Sequence, residues 1–354
     1  MNDLQASRRK VFLDVVSGLM IVHMIMGHVL QHSGLWYVEG DQWYRPVRMA
    51  LFFFMPWFYF KAGVFLSRKR EVGAFVRRDV RRLLVPFVVW TAIGSLCYIA
   101  LEAWLEPRPW IKMLASPVKS VWVNGSAGGN LALWFLLSLF WVRCVYRLLP
   151  AKGEWAAMAG ALAIGWLLCS KGVILPLSLS TLFPGLLMLL IGTRCKGLLA
   201  LATPPAGEQR GGKVNKCILG GGKIFIIILF AAGVIYVCPG TNMRMNEVAG
   251  PYPMAYLLAW LGCLSIAWVG AWLEPRVGHT WVWRALAWTG RESMALYVVH
   301  WIPIFVANRL LRHWWPDIDM DLLTWLLLAI CLLVLALVMM LKPRLPRWMF
   351  GEEA

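Results

Sequence analysis

Apolar runs of roughly 20 residues recur along this chain from end to end, each long enough to cross a bilayer as a helix. Ten segments are predicted to be helical: 11–32, 46–66, 83–104, 131–149, 154–170, 173–193, 223–239, 252–273, 285–308 and 321–341. Of these, 154–170 is short, and 173–193 is interrupted by Pro176 and Pro184. Composition agrees, with 60% of the 354 residues hydrophobic and 15% charged, against about 45–50% and 25% in a soluble domain. The expected fold class is an all-α polytopic transmembrane bundle, one domain over 1–354, with both termini on one side.

The formal charge of +17 is spread over alternate loops. The stretch "SRKREVGAFVRRDVRR" holds seven basic residues against two acidic ones. Arg8, Arg9 and Lys10, the segment 194–223, and Lys342, Arg344 and Arg347 continue the pattern. By the positive-inside rule this face is cytoplasmic. Basic residues arranged in this way point to membrane lipids and not to nucleic acid. The first apolar run contains Asp14 and three histidines and lacks a small-residue cleavage site, so it is read as a membrane helix and not a leader. The "GGGK" ending at Lys223 lacks the spacing of a phosphate-binding loop. The eight cysteines are scattered without a CxxC, and no metal is expected. On the opposite face, 105–130 is rich in Trp, Pro and Gly, and reads as an interfacial cover or a binding loop.

Ionisable groups at membrane depth are functional candidates by default. In the first helix Asp14 and His28 are 14 positions apart, about 40° around the axis and about 21 Å along it. They share a face with Ser17 and His32 but cannot touch, while His23 points elsewhere. A neutral imidazole at His28 is the state a general base requires; a hydrogen-bonded core histidine is the alternative there, and the expected reading for His23 and His32. Lys61, in "FYFKAGVFL", either snorkels to the headgroups or meets an anionic group inside the bundle. Arg78 and Arg81, spaced i,i+3, form a fork suited to phosphate or a simple charge anchor. In "TGRESMALYVVHWIPI", Glu292 can pair with Arg291 or a neighbouring helix, and His300 lies about 13 Å beyond Arg291.

The stretches "FLDVVSGLMIVHMIMGH", "FFFMPWFYFKAGVFL", "RRDVRRLLVPFVVW", "NLALWFLLSLF" and "GRESMALYVVH" occur in this order over nearly the whole chain. In these the chain resembles the acyltransferase-3 family of bacterial integral-membrane acyltransferases, most closely its fucose 4-O-acetylase-like branch. The resemblance implies a ten-helix fold in the bacterial cytoplasmic membrane. It also implies transfer of an acyl group, usually acetyl, from cytoplasmic acyl-CoA to a hydroxyl of a glycan or lipid-linked sugar. The family's prime catalytic histidine falls on His28, and its RxxR element best on Arg78 and Arg81, with Arg77 and Arg82 as rivals. The Trp of its LWFL motif is Trp134, as core packing or cavity wall. Two positions depart from the pattern. Ser17 stands where many members keep an arginine, and Lys61 replaces an apolar residue; Lys61 is expected to supply the missing charge toward acyl-CoA.

The mechanism expected on this basis is direct transfer, with a two-step route through an acyl-enzyme as the alternative. His28 takes the hydroxyl proton, Asp14 lies on its helix face, and Tyr297 or His300 donates to the oxyanion. Glu292, Ser293 and Trp134 are expected at the cavity or acceptor. A transporter or flippase of lipid-linked sugars would share the ten helices, the buried histidine and the basic inner face, and a non-catalytic sensor would leave the Asp14–His28 stripe without a task.

Overall fold

The computed structural model describes residues 10–37, 43–67, 71–106, 109–200, 213–237 and 240–352. Arg8, Arg9, Cys238, loop residues 68–70, linker residues 201–212 and the end of the predicted helix 223–239 lie outside them. Among the described residues six helical segments are long and apolar enough to cross a membrane, and three shorter apolar helices accompany them. In chain order the helices used below are α1 (Val11–Ser33), α2 (Phe54–Phe65), α3 (Val72–Leu105), α4 (Trp110–Asn124), α5 (Trp134–Leu148), α6 (Glu154–Ser170) and α7 (Leu182–Arg194). They continue with α8 (Lys213–Val237), α9 (Tyr252–Val277), α10 (Trp281–Arg291), α11 (Ser293–Val299), α12 (Trp301–Trp314) and α13 (Met320–Leu341). A hairpin of β1 (Gly240–Asn242) and β2 (Glu247–Ala249) joins α8 to α9, with Thr241 paired to Val248. The result is a helical membrane bundle whose rim exposes Leu333, Leu337 and Met340 of α13, as a lipid-facing helix must.

Two close helix crossings set the architecture. A Cβ at Gly18 would overlap the Leu286 carbonyl of α10, and one at Gly290 would overlap the Asp14 carbonyl. α1 and α10 therefore meet backbone to backbone. Gly63 of α2 and Gly192 of α7 make the same kind of contact with the carbonyls of Leu189 and Phe60. Small residues are the usual means of bringing membrane helices this close. Between the crossings lies the core, where Met20, Ile21, Trp57, Tyr59, Phe60 and Leu136 are fully buried.

Proline explains where the predicted helices break. The segment 46–66 is two pieces, Arg45–Ala50 and α2. Pro56 has no N–H for the Phe52 carbonyl, which instead accepts from Thr241 Oγ1 of the hairpin at 3.2 Å. In α3, Pro86 likewise leaves the Arg82 carbonyl without its helical donor, and Val80–Leu84 forms a π-helical turn. The segment 285–308 is three helices, with Pro303 just beyond the interruption at His300. The segment 173–193 becomes helical at a 3-10 turn only from Leu179, because Pro176 drives its predecessor toward extended backbone. One helix runs against the sequence reading: α4 occupies 110–124, inside the stretch read as a loop. Its exposed Ile111, Leu114, Val118 and Trp122 form one apolar stripe, the mark of an interfacial helix.

Candidate active site

α1 carries two polar clusters, one near each end. At the basic end, Lys61 Nζ donates to Ser17 Oγ at 2.7 Å and lies 3.4 Å from Asp14 Oδ1. Trp57 Nε1 donates to the same Ser17 hydroxyl at 3.1 Å, and that hydroxyl donates to the Leu13 carbonyl at 2.8 Å. Lys61 thus meets an anionic group inside the bundle and does not reach for the headgroups. Asp14, Ser17 and Lys61 line neither of the cavities described below. Asp14 is 14 helical residues, about 21 Å, from His28, so it is the partner of Lys61 and not part of a histidine cluster.

The second cluster forms where α1 meets the break between α11 and α12. His28 stacks on His300 with ring centroids 5.3 Å apart and an interplanar angle of 24°. Trp301 stands edge-on to His28 at 4.7 Å and to His32 at 4.9 Å. His300 Nδ1 is 2.7 Å from the Tyr297 carbonyl. A carbonyl only accepts, so Nδ1 carries the proton and, in the neutral ring, Nε2 carries the lone pair. His28 Nδ1 meets Gln31 Oε1 at 3.0 Å, which selects the same tautomer. His300 is fully buried and its Nε2 has no partner among the described residues, whereas His28 is half-buried. His28 is therefore the imidazole that outside groups can reach, and His300 backs it. His23 faces away, 2.8 Å from the Tyr44 hydroxyl, as a satisfied core residue.

The expected oxyanion donors are otherwise engaged. Tyr297 donates its hydroxyl to the Ala132 carbonyl, and neutral His300 uses its only N–H on Tyr297. The buried N–H left without a partner beside His28 is Trp301 Nε1. The break itself is held by Asn130, whose Nδ2 donates to the Val298 carbonyl at 2.9 Å.

Two cavities border α11. The first, about 110 Å³, is lined by Arg82, Arg291, Glu292, Met294, Ala295, Lys342, Phe350, Gly351 and Glu352. Glu292 pairs with Lys342 from the end of α13, not with its neighbour Arg291. The second, about 150 Å³ and mostly apolar, is lined by Ile21, Met24, Met55, Phe58, Phe135, Leu136, Leu139, Ser293, Met294 and Tyr297. Met294 belongs to both walls, and Tyr297, whose ring is 6.0 Å from that of His300, belongs to the deep one.

The arginine fork is not where spacing put it. The π turn at Val80–Leu84 separates Arg78 from Arg81 and widens the helix. Arg82, with Arg291 of α10, reaches the polar cavity, and Arg78 and Arg81 do not line it. Trp134 lines neither of these two cavities; it packs edge-on against Phe135, which lines the apolar one. Ser293 and Glu292 do line cavities.

Sequence reasoning passed over Gln31, Trp301, Met294 and Phe135. Gln31 and Trp301 each had a signal, since one lies three residues from His28 and the other follows His300. Arg244, in the turn between β1 and β2, was also passed over, yet it lies near enough to His28 for its charge to act on that imidazole.

Neither a curated protein nor a solved structure matches the chain. Residues 10–341, from the start of α1 to the end of α13, match the acyltransferase domain of the acyltransferase-3 family. The chain belongs to that family and is a multi-pass membrane acyltransferase.

Proposed function

We propose that the protein moves an acyl group, acetyl in the simplest case, from cytoplasmic acyl-CoA to a hydroxyl of a cell-surface or lipid-linked glycan. The setting is the bacterial cytoplasmic membrane. The observation that supports this reading is a pair of cavities that share Met294 in their walls. One is polar and lined by Arg82 and Arg291, the other is apolar, and Tyr297 in the wall of the second has its ring 6.0 Å from that of His300, which stacks on His28. That sequence of environments suits the parts of acyl-CoA. Guanidinium groups of Arg82 and Arg291 fit phosphate oxygens; an apolar passage fits the pantetheine arm and brings the thioester toward the histidines.

The acceptor hydroxyl approaches His28 from the opposite face. His28 Nε2 takes its proton as the oxygen bonds to the thioester carbonyl carbon. The carbonyl oxygen gains negative charge, which Trp301 Nε1–H stabilises. The intermediate collapses, the carbon–sulfur bond breaks, and the His28 proton passes to the departing thiolate. His300, with its Nε2 lone pair turned inward, holds the His28 ring by stacking.

The test uses purified protein with radiolabelled acetyl-CoA, and surface glycans of cells expressing the parent or His28→Ala. Label transferred to an acceptor, and O-acetyl mass lost from glycans in the folded variant, are the expected results. Acetyl-CoA left intact in the presence of acceptor glycans would overturn the reading.

A further inference from the structure

The β1–β2 hairpin carries an arginine that no described residue neutralises. Arg244 sits in the turn of the β1–β2 hairpin, and that turn is held on three sides. Thr241 bonds the Phe52 carbonyl at 3.2 Å, Asn246 Nδ2 donates to the Gly165 carbonyl at 3.1 Å, and Met243 is buried in the core. Arg244 is consequently half-buried, its Nε is sealed from solvent, and it has no hydrogen-bond or ion-pair partner among the described residues. The hairpin's own carboxylate, Glu247, accepts from Asn242 Nδ2 at 2.9 Å instead.

Other arginines are tied to the protein. Arg309 bonds Glu102 and Glu106, each at 2.9 Å, and Arg312 donates to the Ser33 carbonyl at 2.8 Å. Holding a guanidinium partly out of water without a counter-charge is unfavourable, and burial pulls the Arg244 pKa below its ordinary value. A rigid scaffold that maintains such a group within electrostatic reach of His28 is suited to receive an anion. The CoA phosphates are not that anion, because the polar cavity at Arg82 lies toward the other end of α1 from His28.

We propose that Arg244 binds an anionic group on the acceptor, a carboxylate or a phosphate, and so directs a neighbouring hydroxyl to His28. This rests on the acyl-transfer reading and sharpens it: the acceptor is a negatively charged sugar, and a neutral one is disfavoured.

The test is thermal unfolding of the purified full-length protein with methyl glucuronide, hexose 1-phosphate or methyl glucoside as probes. One or both anionic probes raise the melting temperature of the parent chain, with the carboxylate and phosphate arms telling the two sources apart, and the neutral glucoside does not. Arg244→Gln binds the anionic probe about tenfold more weakly, the loss expected of a charge-assisted hydrogen bond, and Arg244→Lys retains part of the response. Without probe, Arg244→Gln melts no lower than the parent, since the side chain has no partner to lose; a lower melting temperature would assign Arg244 a structural role and overturn the proposal. An equal response to charged and neutral probes, or an undiminished response in Arg244→Gln, would also overturn it. Failure of acetyl transfer in a parent chain that still responds to the anions would instead overturn the acyl-transfer reading and leave the anion site standing.

Discussion

The two ends of α1 present opposite solutions to the same problem. Near the basic end, Asp14, Ser17, Trp57 and Lys61 bond to one another between α1 and α2. Near the other end, His28, His300 and Trp301 are in aromatic contact, but His300 Nε2 and Trp301 Nε1 have no partner among the described residues. An unmet buried polar atom costs about 1–3 kcal/mol, and two together persist only where something else recovers the loss. The saturated cluster therefore reads as fold, and the unsaturated one as chemistry.

The sharpest way to break this contrast is His28→Ala. Loss of the general base is expected to lower kcat by about 10³–10⁴-fold, measured as CoA release at saturating donor, with the melting temperature little changed. Comparable loss from Asp14→Asn would erase the distinction between the two ends. Trp301→Phe keeps the edge-on contact with His28 and removes only the N–H. It should lower kcat by about 10²-fold and leave the KM for acetyl-CoA in place. If KM rises and kcat holds, the indole is a wall and not a donor.

The reason one end was more legible than the other lies in what a sequence encodes. Helical periodicity separated His23 from His28 and His32, and the structure repeats that division with Tyr44 on one side and Trp301 on the other. The segment 285–308 reads as one helix, and neither the break at His300 nor its placement against α1 was legible, although Pro303 follows it closely. The tautomers of His28 and His300 depend on acceptors brought by folding, so the expectation that His300 donates to an oxyanion had no means of correcting itself. Of the arginines in this stretch Arg82 lines the polar cavity and Arg78 and Arg81 do not, a difference that the π turn at Val80–Leu84 makes and that ordinary helical spacing cannot anticipate. The helix at 110–124 was hidden by Pro117 and the glycines that follow, although the stripe of Ile111, Leu114, Val118 and Trp122 was present. Arg244 lies in a short polar turn with no period at all.

Lys61→Met probes the saturated end. It leaves Asp14 charged and without its lysine, and should cost on the order of 3 kcal/mol of stability. The folded fraction should keep its KM for acetyl-CoA, since Lys61 lines neither cavity. Adding Asp14→Asn should return part of the lost stability, because it removes the charge that Lys61 faced. A raised donor KM in a stable variant would return Lys61 to the role its sequence position suggested, a charge directed at acyl-CoA.

The smallest effect is expected at Tyr297, whose ring lies 6.0 Å from that of His300. Its ring lines the apolar cavity and its hydroxyl is committed to the Ala132 carbonyl. Tyr297→Phe preserves the wall and removes one buried hydrogen bond, a loss of about 1 kcal/mol, which should appear as a lower melting temperature. Because that hydroxyl is not free to reach an oxyanion, kcat should fall by less than about fivefold, far short of the loss of a true donor. A hundredfold fall in kcat with unchanged stability would mean that the hydroxyl leaves Ala132 during the reaction. The count of partnered and unpartnered groups at rest would then no longer separate fold from chemistry at this end of α1.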